Sequence, residues 1–306
     1  MKYNPYCKNI KTRFFDIETT GLYPKDDRII SASFINPDGT DLVQFFCEAP
    51  QFEDILVEQI VEELKKSEVI ITYNGDMFDL PFVLTRAKKH RICEALPSFW
   101  SIDLYRWLRS YWPMAKRMPS LRQKAVEEAL GFAEKRTDEI GGGECIELYN
   151  RYVNWNEEDA KNLILLHNAD DVRQLAKITQ AASFLPYHQI CFEKGFYFDG
   201  IMLSSAKILK TKFKVNAQAK TGDLTADIYT DGYHLQYDSF TGAIELELPV
   251  GHIKTYTYVD LKLIEGAEEF FADSPALHSG FLILADGNKV NYKECNQLSK
   301  FLIKKL

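Results

Sequence analysis

The sequence predicts two domains of different texture: an α/β domain over residues 1–186 and a smaller β-rich domain over residues 187–306. Three observations carry this. A chain of 306 residues exceeds what one ordinary core organises. The first part alternates apolar runs of strand length with stretches of helical spacing, and closes on a long helical pattern stopped near Pro186. Beyond Tyr187 the apolar residues recur with the period of a strand.

Taken in order, residues 12–18 are an apolar run ending in carboxylates, and residues 28–35 are rich in Ile, Ser and Phe. Asp38-Gly39 is a hairpin signal leading into residues 42–47, so three antiparallel strands follow. Residues 51–67 place Ile55, Leu56, Ile60, Val61 and Leu64 at helical spacing, and residues 69–73 then read as a buried strand. Residues 79–90 are expected to be helical. Ser120 with Gln123 forms a capping-box signature ahead of a helix over 121–130. Gly141-Gly142-Gly143 reads as a loop, and with no Lys-Ser or Lys-Thr after it this is no phosphate-binding P-loop. Helices are expected over 144–153 and 157–182. In the second domain, residues 224–229, 233–237, 243–248 and 254–261 predict an antiparallel sheet, and residues 292–306 a closing helix.

Hydrophobic residues at 46%, charged residues at 26%, and only 16 Gly and 11 Pro describe a folded chain and exclude collagen-like, mucin-like and linker classes. No apolar run approaches the roughly 20 residues that span a bilayer, and the first residues lack the apolar stretch of a secretory signal. A cytoplasmic location without a membrane partner is expected. The six cysteines, Cys7, Cys47, Cys93, Cys145, Cys191 and Cys295, are scattered singly and read as reduced core thiols.

The net charge of −7 argues against a protein that coats duplex nucleic acid, but the charge is unevenly spread. Residues 86–124 hold ten basic side chains against two acidic ones, a balance of +8 that leaves −15 on the remainder. Trp100, Trp107 and Trp112 fall in the same stretch, with Tyr105 and Tyr111. Cations interleaved with aromatics suit a single-stranded nucleic-acid track, in which Arg106, Arg109 and Arg117 meet phosphates and Trp107 and Trp112 stack on bases. The same pattern also fits a solvated helix face over core aromatics. Lys210, Lys212 and Lys214, on one face of a possible strand, fit either substrate grip or a protected sheet edge.

The chemistry rests on carboxylates. Asp16 and Glu18 are two apart on a predicted strand, so both side chains share one face at the end of an apolar run. Such a pair is either a chance feature of a wet surface or a ligand set for a hard divalent cation, magnesium or manganese. Asp79 follows the turn Tyr73-Asn74-Gly75 at the start of a helix, where it is either an N-cap or part of the same site. His167 and Asp171, at i and i+4 in the long helix, share one face.

Together these pieces resemble the DEDD (DnaQ-like) 3′–5′ exonucleases of the ribonuclease-H-like superfamily. Phe15-Asp16-Ile17-Glu18-Thr19-Thr20-Gly21-Leu22 is similar to their first motif, Tyr73-Asn74-Gly75 with Phe78-Asp79-Leu80-Pro81-Phe82 to the second, and residues 167–171 to the third. The wording of the first two is close to the proofreading domains of family B DNA polymerases. Ser120-Leu121, Ala129-Leu130-Gly131, Gly143-Glu144 and Leu148-Tyr149 resemble the connecting region of the YprB-like stand-alone predicted exonucleases. The resemblance covers residues 12–182 and implies a mixed five-stranded sheet with helices on both faces. It also implies a two-ion Mg2+ or Mn2+ centre held by Asp16, Glu18, Asp79 and Asp171, and His167 as a catalytic histidine. Thr19, Asn74 and Phe78 would contact the substrate, a single-stranded DNA or RNA. One departure stands out: the third motif of the family is Tyr-x-x-x-Asp or His-x-x-x-x-Asp, whereas this chain has His at the tyrosine spacing. Competing readings are a catalytically weak nucleic-acid-binding or scaffold protein, and a carboxylate-metal phosphohydrolase acting on nucleotides.

Overall fold

The computed structural model describes residues 10–132 and 140–306. Two compact units divide the chain, Met1–Leu185 and Pro186–Leu306. Cys7 lies outside the described residues. Cys47, Cys145, Cys191 and Cys295 are buried and Cys93 is half-buried, all as free thiols.

The first unit is built on a mixed sheet of β1 (Thr12–Thr19), β2 (Ile29–Ile35), β3 (Leu42–Phe46), β4 (Val69–Thr72) and β5 (Trp100–Asp103), in the order β3-β2-β1-β4-β5. The first three strands are antiparallel, while β4 and β5 run parallel to β1. Pairing register decides what each face carries. Phe15 opposes Phe34 and Ile17 opposes Ala32, whereas Asp16 opposes Ser33 and Glu18 opposes Ser31. Side chains alternate along a strand, so one face of the β1–β2 pair is apolar there, while the other begins with Phe14 opposite Ile35 and turns polar over Asp16, Glu18, Ser31 and Ser33.

The apolar face, with Phe15 stacked on Phe34 at 4.6 Å, joins a core that includes Leu56, Val57 and Ile60 of α1 (Glu53–Lys65). Each such side chain contributes about 1.5–3 kcal/mol by leaving water. Further on come α2 (Asp79–Lys89), α3 (Leu104–Tyr111), α4 (Gln123–Ala129), α5 (Gly142–Trp155) and α6 (Glu158–Ala181). The long α6 packs on β1, β2 and β3, and its Asn168 reaches the serines of the polar face.

Several local expectations change. β5 and α3 carry no separate signal in the sequence reading. The Ser120/Gln123 capping box does not form: Ser120 Oγ accepts from the Arg122 N–H, and the Gln123 amide reaches the carbonyl of Asp171 at 2.9 Å. The glycine run is not wholly loop, because Gly142 opens α5 and the Glu144 carboxylate accepts from the Gly141 N–H at 2.7 Å. Helix α6 stops at Ala181, and Pro186 precedes another helix, α7 (Tyr187–Lys194).

In the second unit α7 is followed by β6 (Phe196–Phe198), β7 (Ile201–Ile208), β8 (Lys212–Gln218), β9 (Ala226–Tyr229), β10 (His234–Tyr237) and β11 (Ala243–Pro249). These strands form one sheet in the order β6-β7-β8-β11-β10-β9. A second sheet holds β12 (Gly251–Ile253), β13 (Tyr256–Asp260), β14 (Leu277–His278), β15 (Phe281–Asp286) and β16 (Lys289–Val290). The short α8 (Ala267–Phe270) and the closing α9 (Tyr292–Ile303) complete the unit. Two sheets thus replace the single expected one. β8 is flanked by β7 and β11, so Lys212 and Lys214 are not on an edge; they pair with Glu247 and Glu245. Their charge is satisfied within the sheet, which weighs against substrate grip. Among the described residues no helix is long and apolar enough to cross a membrane.

Candidate active site

Asp16 and Glu18 come from the polar face of β1, and Asp171 from α6. Their ligand oxygens lie within 4.8 Å of one another. Asp79, buried in the first turn of α2, points back to β1, where one carboxylate oxygen accepts from the Ile17 N–H at 3.2 Å. It caps no helix; residue 78 holds the N-cap position without a side-chain bond. The turn that delivers it is tight. Asn74 has φ 66°, and a Cβ on Gly75 would fall 2.4 Å from Thr72 Cβ, so only glycine fits there.

Crowded acids out of water resist ionisation. Burial raises the Asp16 carboxyl well above the usual range, reinforced by Asp79, Asp171 and Glu18 and opposed by a hydrogen bond from Asn168. Burial likewise pushes Glu18 up to about 7, against the pull of His167. It pushes Asp79 up to about 7, against the hydrogen bond from Ile17. Among the described residues no lysine or arginine pairs with Asp16, Glu18 or Asp79. Clustered oxygen donors without a balancing cation are the ligand set of a hard divalent ion, and Asp16, Glu18, Asp79 and Asp171 fit one.

His167 joins this cluster. It is buried, with Nε2 3.4 Å from Glu18 Oε1 and 3.6 Å from Asp171 Oδ2. Thr19 is buried and spends its hydroxyl on the Gly21 carbonyl at 2.6 Å. The Asn74 N–H is held by Asp103 at 2.9 Å, and Phe78 packs on Phe82 with ring centroids 5.5 Å apart. Beside the site Asn74, Tyr105, Leu121 and Gln123 help to line an open cavity of about 400 Å3.

The basic aromatic stretch divides. Trp107 is buried beside Trp100, ring centroids 6.3 Å apart, and Trp112 is buried and stacked on Phe184 at 5.2 Å. Trp107 belongs with Leu104 and Leu108 to the inward stripe of α3, and Trp112, just past that helix, is covered by Phe184, so neither ring presents an open face for the expected stacking on bases. Arg86, counted in the same stretch, is buried with its guanidinium on Glu53. Arg109 and Arg117 are exposed, as is Arg106, which is bonded to Asp76 at 2.9 Å.

Five residues at the site carry little signal in the sequence alone. Asn168 donates to Asp16 Oδ2 at 2.8 Å and accepts from Ser33 Oγ at 2.7 Å and Ser31 Oγ at 3.2 Å. The Gln44 amide continues the row, reaching Ser33 Oγ at 2.9 Å and the Leu165 carbonyl at 2.8 Å. Cys145, on the first turn of α5, brings its Sγ within 4.8 Å of ligand atoms of Glu18 and His167. The available signal for the serines was their own spacing of two, matching that of the two acids on the neighbouring strand.

A mixed sheet ordered β3-β2-β1-β4-β5, with carboxylates on its central strand met by a helical Asp and His, defines a protein of the ribonuclease-H-like class. A family model described as the RNase_H superfamily matches residues 13–183, and the chain belongs to that superfamily. It is 30% identical over 169 residues to the uncharacterized protein YprB of Bacillus subtilis, covering 54% of this chain and 40% of that protein. A DNA polymerase of Methanocaldococcus jannaschii is 36% identical over 93 residues, 27% of this chain and 6% of the polymerase. The family B DNA polymerase of Pyrobaculum calidifontis aligns in structure with a TM-score of 0.44 at 16% identity, covering 74% of this chain and 33% of that one. The chain spans less than half the length of these relatives.

Proposed function

We propose that the chain is a metal-dependent 3′–5′ exonuclease that hydrolyses phosphodiester bonds of single-stranded DNA or RNA. The observation that carries this reading is the convergence of Asp16, Glu18 and Asp171 within 4.8 Å, with Asp79 aimed at the same strand. In it these four carboxylates hold two Mg2+ or Mn2+ ions. When bound, such ions activate the attacking water and stabilise the leaving 3′ oxygen. The protein's own contributions are positional and protonic. Asn168 fixes the Asp16 carboxylate, and the Ile17 N–H fixes Asp79. His167, its Nε2 facing Glu18 and Asp171, accepts the proton of the attacking water. Asn74 and Phe78 line the approach of the terminal nucleotide, and exposed Arg109 and Arg117 steer its phosphates.

The test is digestion of end-labelled single- and double-stranded DNA and RNA with Mg2+ or Mn2+. A ladder growing from the 3′ end of single strands, abolished by EDTA, is expected. Hydrolysis that persists in EDTA refutes the metal mechanism, and binding without cleavage leaves the scaffold reading in its place.

A further inference from the structure

We propose that Glu18, Cys145 and His167 form a second metal site, selective for zinc, which shares Glu18 with the acidic cluster and therefore switches that cluster off. One ligand atom from each lies within 4.8 Å of the others, and all three residues are buried. They arrive from three elements, β1, α5 and α6, so the grouping is not an accident of local sequence.

The geometry and the chemistry agree on the ion. Zinc–nitrogen and zinc–oxygen bonds of about 2.0–2.1 Å at a tetrahedral angle hold their donor atoms about 3.4 Å apart. His167 Nε2 and Glu18 Oε1 are 3.4 Å apart. A thiolate, an imidazole and a carboxylate make a softer set than four carboxylates, favouring zinc over magnesium or manganese. With the thiol proton released to solvent, thiolate and carboxylate neutralise the two charges of the ion. The fourth position falls to a water or to Asp171 Oδ2, 3.6 Å from the same nitrogen. Because the ligand is a thiolate, uptake releases a proton.

The site stands on its donors alone, while its inhibitory consequence rests on Glu18 being a ligand of the activating ion. Two measurements need no activity. Metal-free full-length protein is titrated with Co2+ as the spectroscopic stand-in for zinc, and crystals soaked in Zn2+ are measured at the zinc edge. A thiolate-to-cobalt charge-transfer band that is absent from Cys145→Ala is expected, as is an anomalous peak between Glu18, Cys145 and His167. No band, a band that survives in Cys145→Ala, or an anomalous map without that peak overturns the proposal. The crystal result on the wild-type chain decides even where the variant fails to fold. In the nuclease assay Zn2+ should inhibit Mn2+-supported cleavage, and the concentration needed should rise about tenfold or more in Cys145→Ala. Equal inhibition of both proteins overturns the switch but not the site, and a protein that cleaves nothing counts against the nuclease reading alone.

Discussion

Replacing Asp16 by Asn keeps the shape of the side chain and removes one charge from the acidic face, so the metal-free protein should become more stable while losing its response to divalent ions. The ligand oxygens of Asp16, Glu18 and Asp171 lie within 4.8 Å of one another. Two unit charges at that separation repel by about 3 kcal/mol at an effective dielectric of about 20. Proton uptake limits what the cluster can lose, because keeping one carboxyl protonated at about pH 8 costs only about 5 kcal/mol. Against the gain stands the hydrogen bond from Asn168, 2.8 Å long, which an amide at position 16 still accepts but without its charge, a loss of about 1 kcal/mol. Repulsion wins, leaving a net gain of about 2–4 kcal/mol, or a midpoint roughly 5–10 °C higher. The assay is thermal unfolding followed by circular dichroism in EDTA, repeated with excess Mn2+. The wild type should gain about 2.7 kcal/mol once the ion reaches roughly a hundred times its dissociation constant, and the variant much less. A variant less stable than the wild type in EDTA, or equally stabilised by Mn2+, refutes the reasoning.

The metal-free protein should also lose stability with rising pH. Glu18 and Asp79 titrate at about 7 when folded, above their unfolded values near about 4, so the folded state holds more protons between these limits. Denaturant midpoints in EDTA should fall across that window, and the still more strongly raised Asp16 carboxyl continues the fall beyond it; a rising profile contradicts the buried-acid cluster. His167→Ala should lower turnover by about 10²–10⁴-fold, with partial recovery in His167→Tyr, whereas unchanged turnover at neutral pH excludes His167 as proton acceptor. Asn168→Ala should weaken Mn2+ binding by about 10–100-fold in a calorimetric titration, since Asp16 loses its anchor; wild-type affinity would show that the strand alone positions the acid. Trp112→Ala should cost about 3–5 kcal/mol of stability, a core effect. Arg117→Gln should instead flatten the salt dependence of strand binding without moving the unfolding midpoint.

The carboxylates were legible because their geometry is local. A spacing of two on a strand and of four on a helix fixes a shared face without knowledge of any partner. Asn168, Ser31 and Ser33 were not, because what joins them is the pairing of Asp16 with Ser33 and the lie of α6 across it, separations of 135 residues and more. Cys145 reaches Glu18 only through the docking of α5, and a single cysteine in a helical stretch announces nothing. The tryptophans show the opposite failure. The inward spacing of Leu104, Trp107 and Leu108 is present in the sequence, but a basic and aromatic composition masks it. In the second unit alternation marks strands without saying which of them pair, so one sheet and two look alike in the sequence.

The β1–β2 register has a bearing on how the lineage of this chain can decay. Sliding β1 by one residue would carry Asp16 and Glu18 into the layer of Leu56 and Val57, and set Phe15 against the amide of Asn168. The two acids therefore police strand alignment during folding: the wrong pairing is penalised by the same charges that make the right one reactive. A descendant that abandoned catalysis and drifted to Val at both positions would shed the penalty along with the activity. Its first strand would become apolar on both faces, equally content in either alignment. Loss of chemistry and loss of a single well-defined fold would then be one event, and selection for correct folding could preserve this pair of acids for a time even where selection for turnover had ceased.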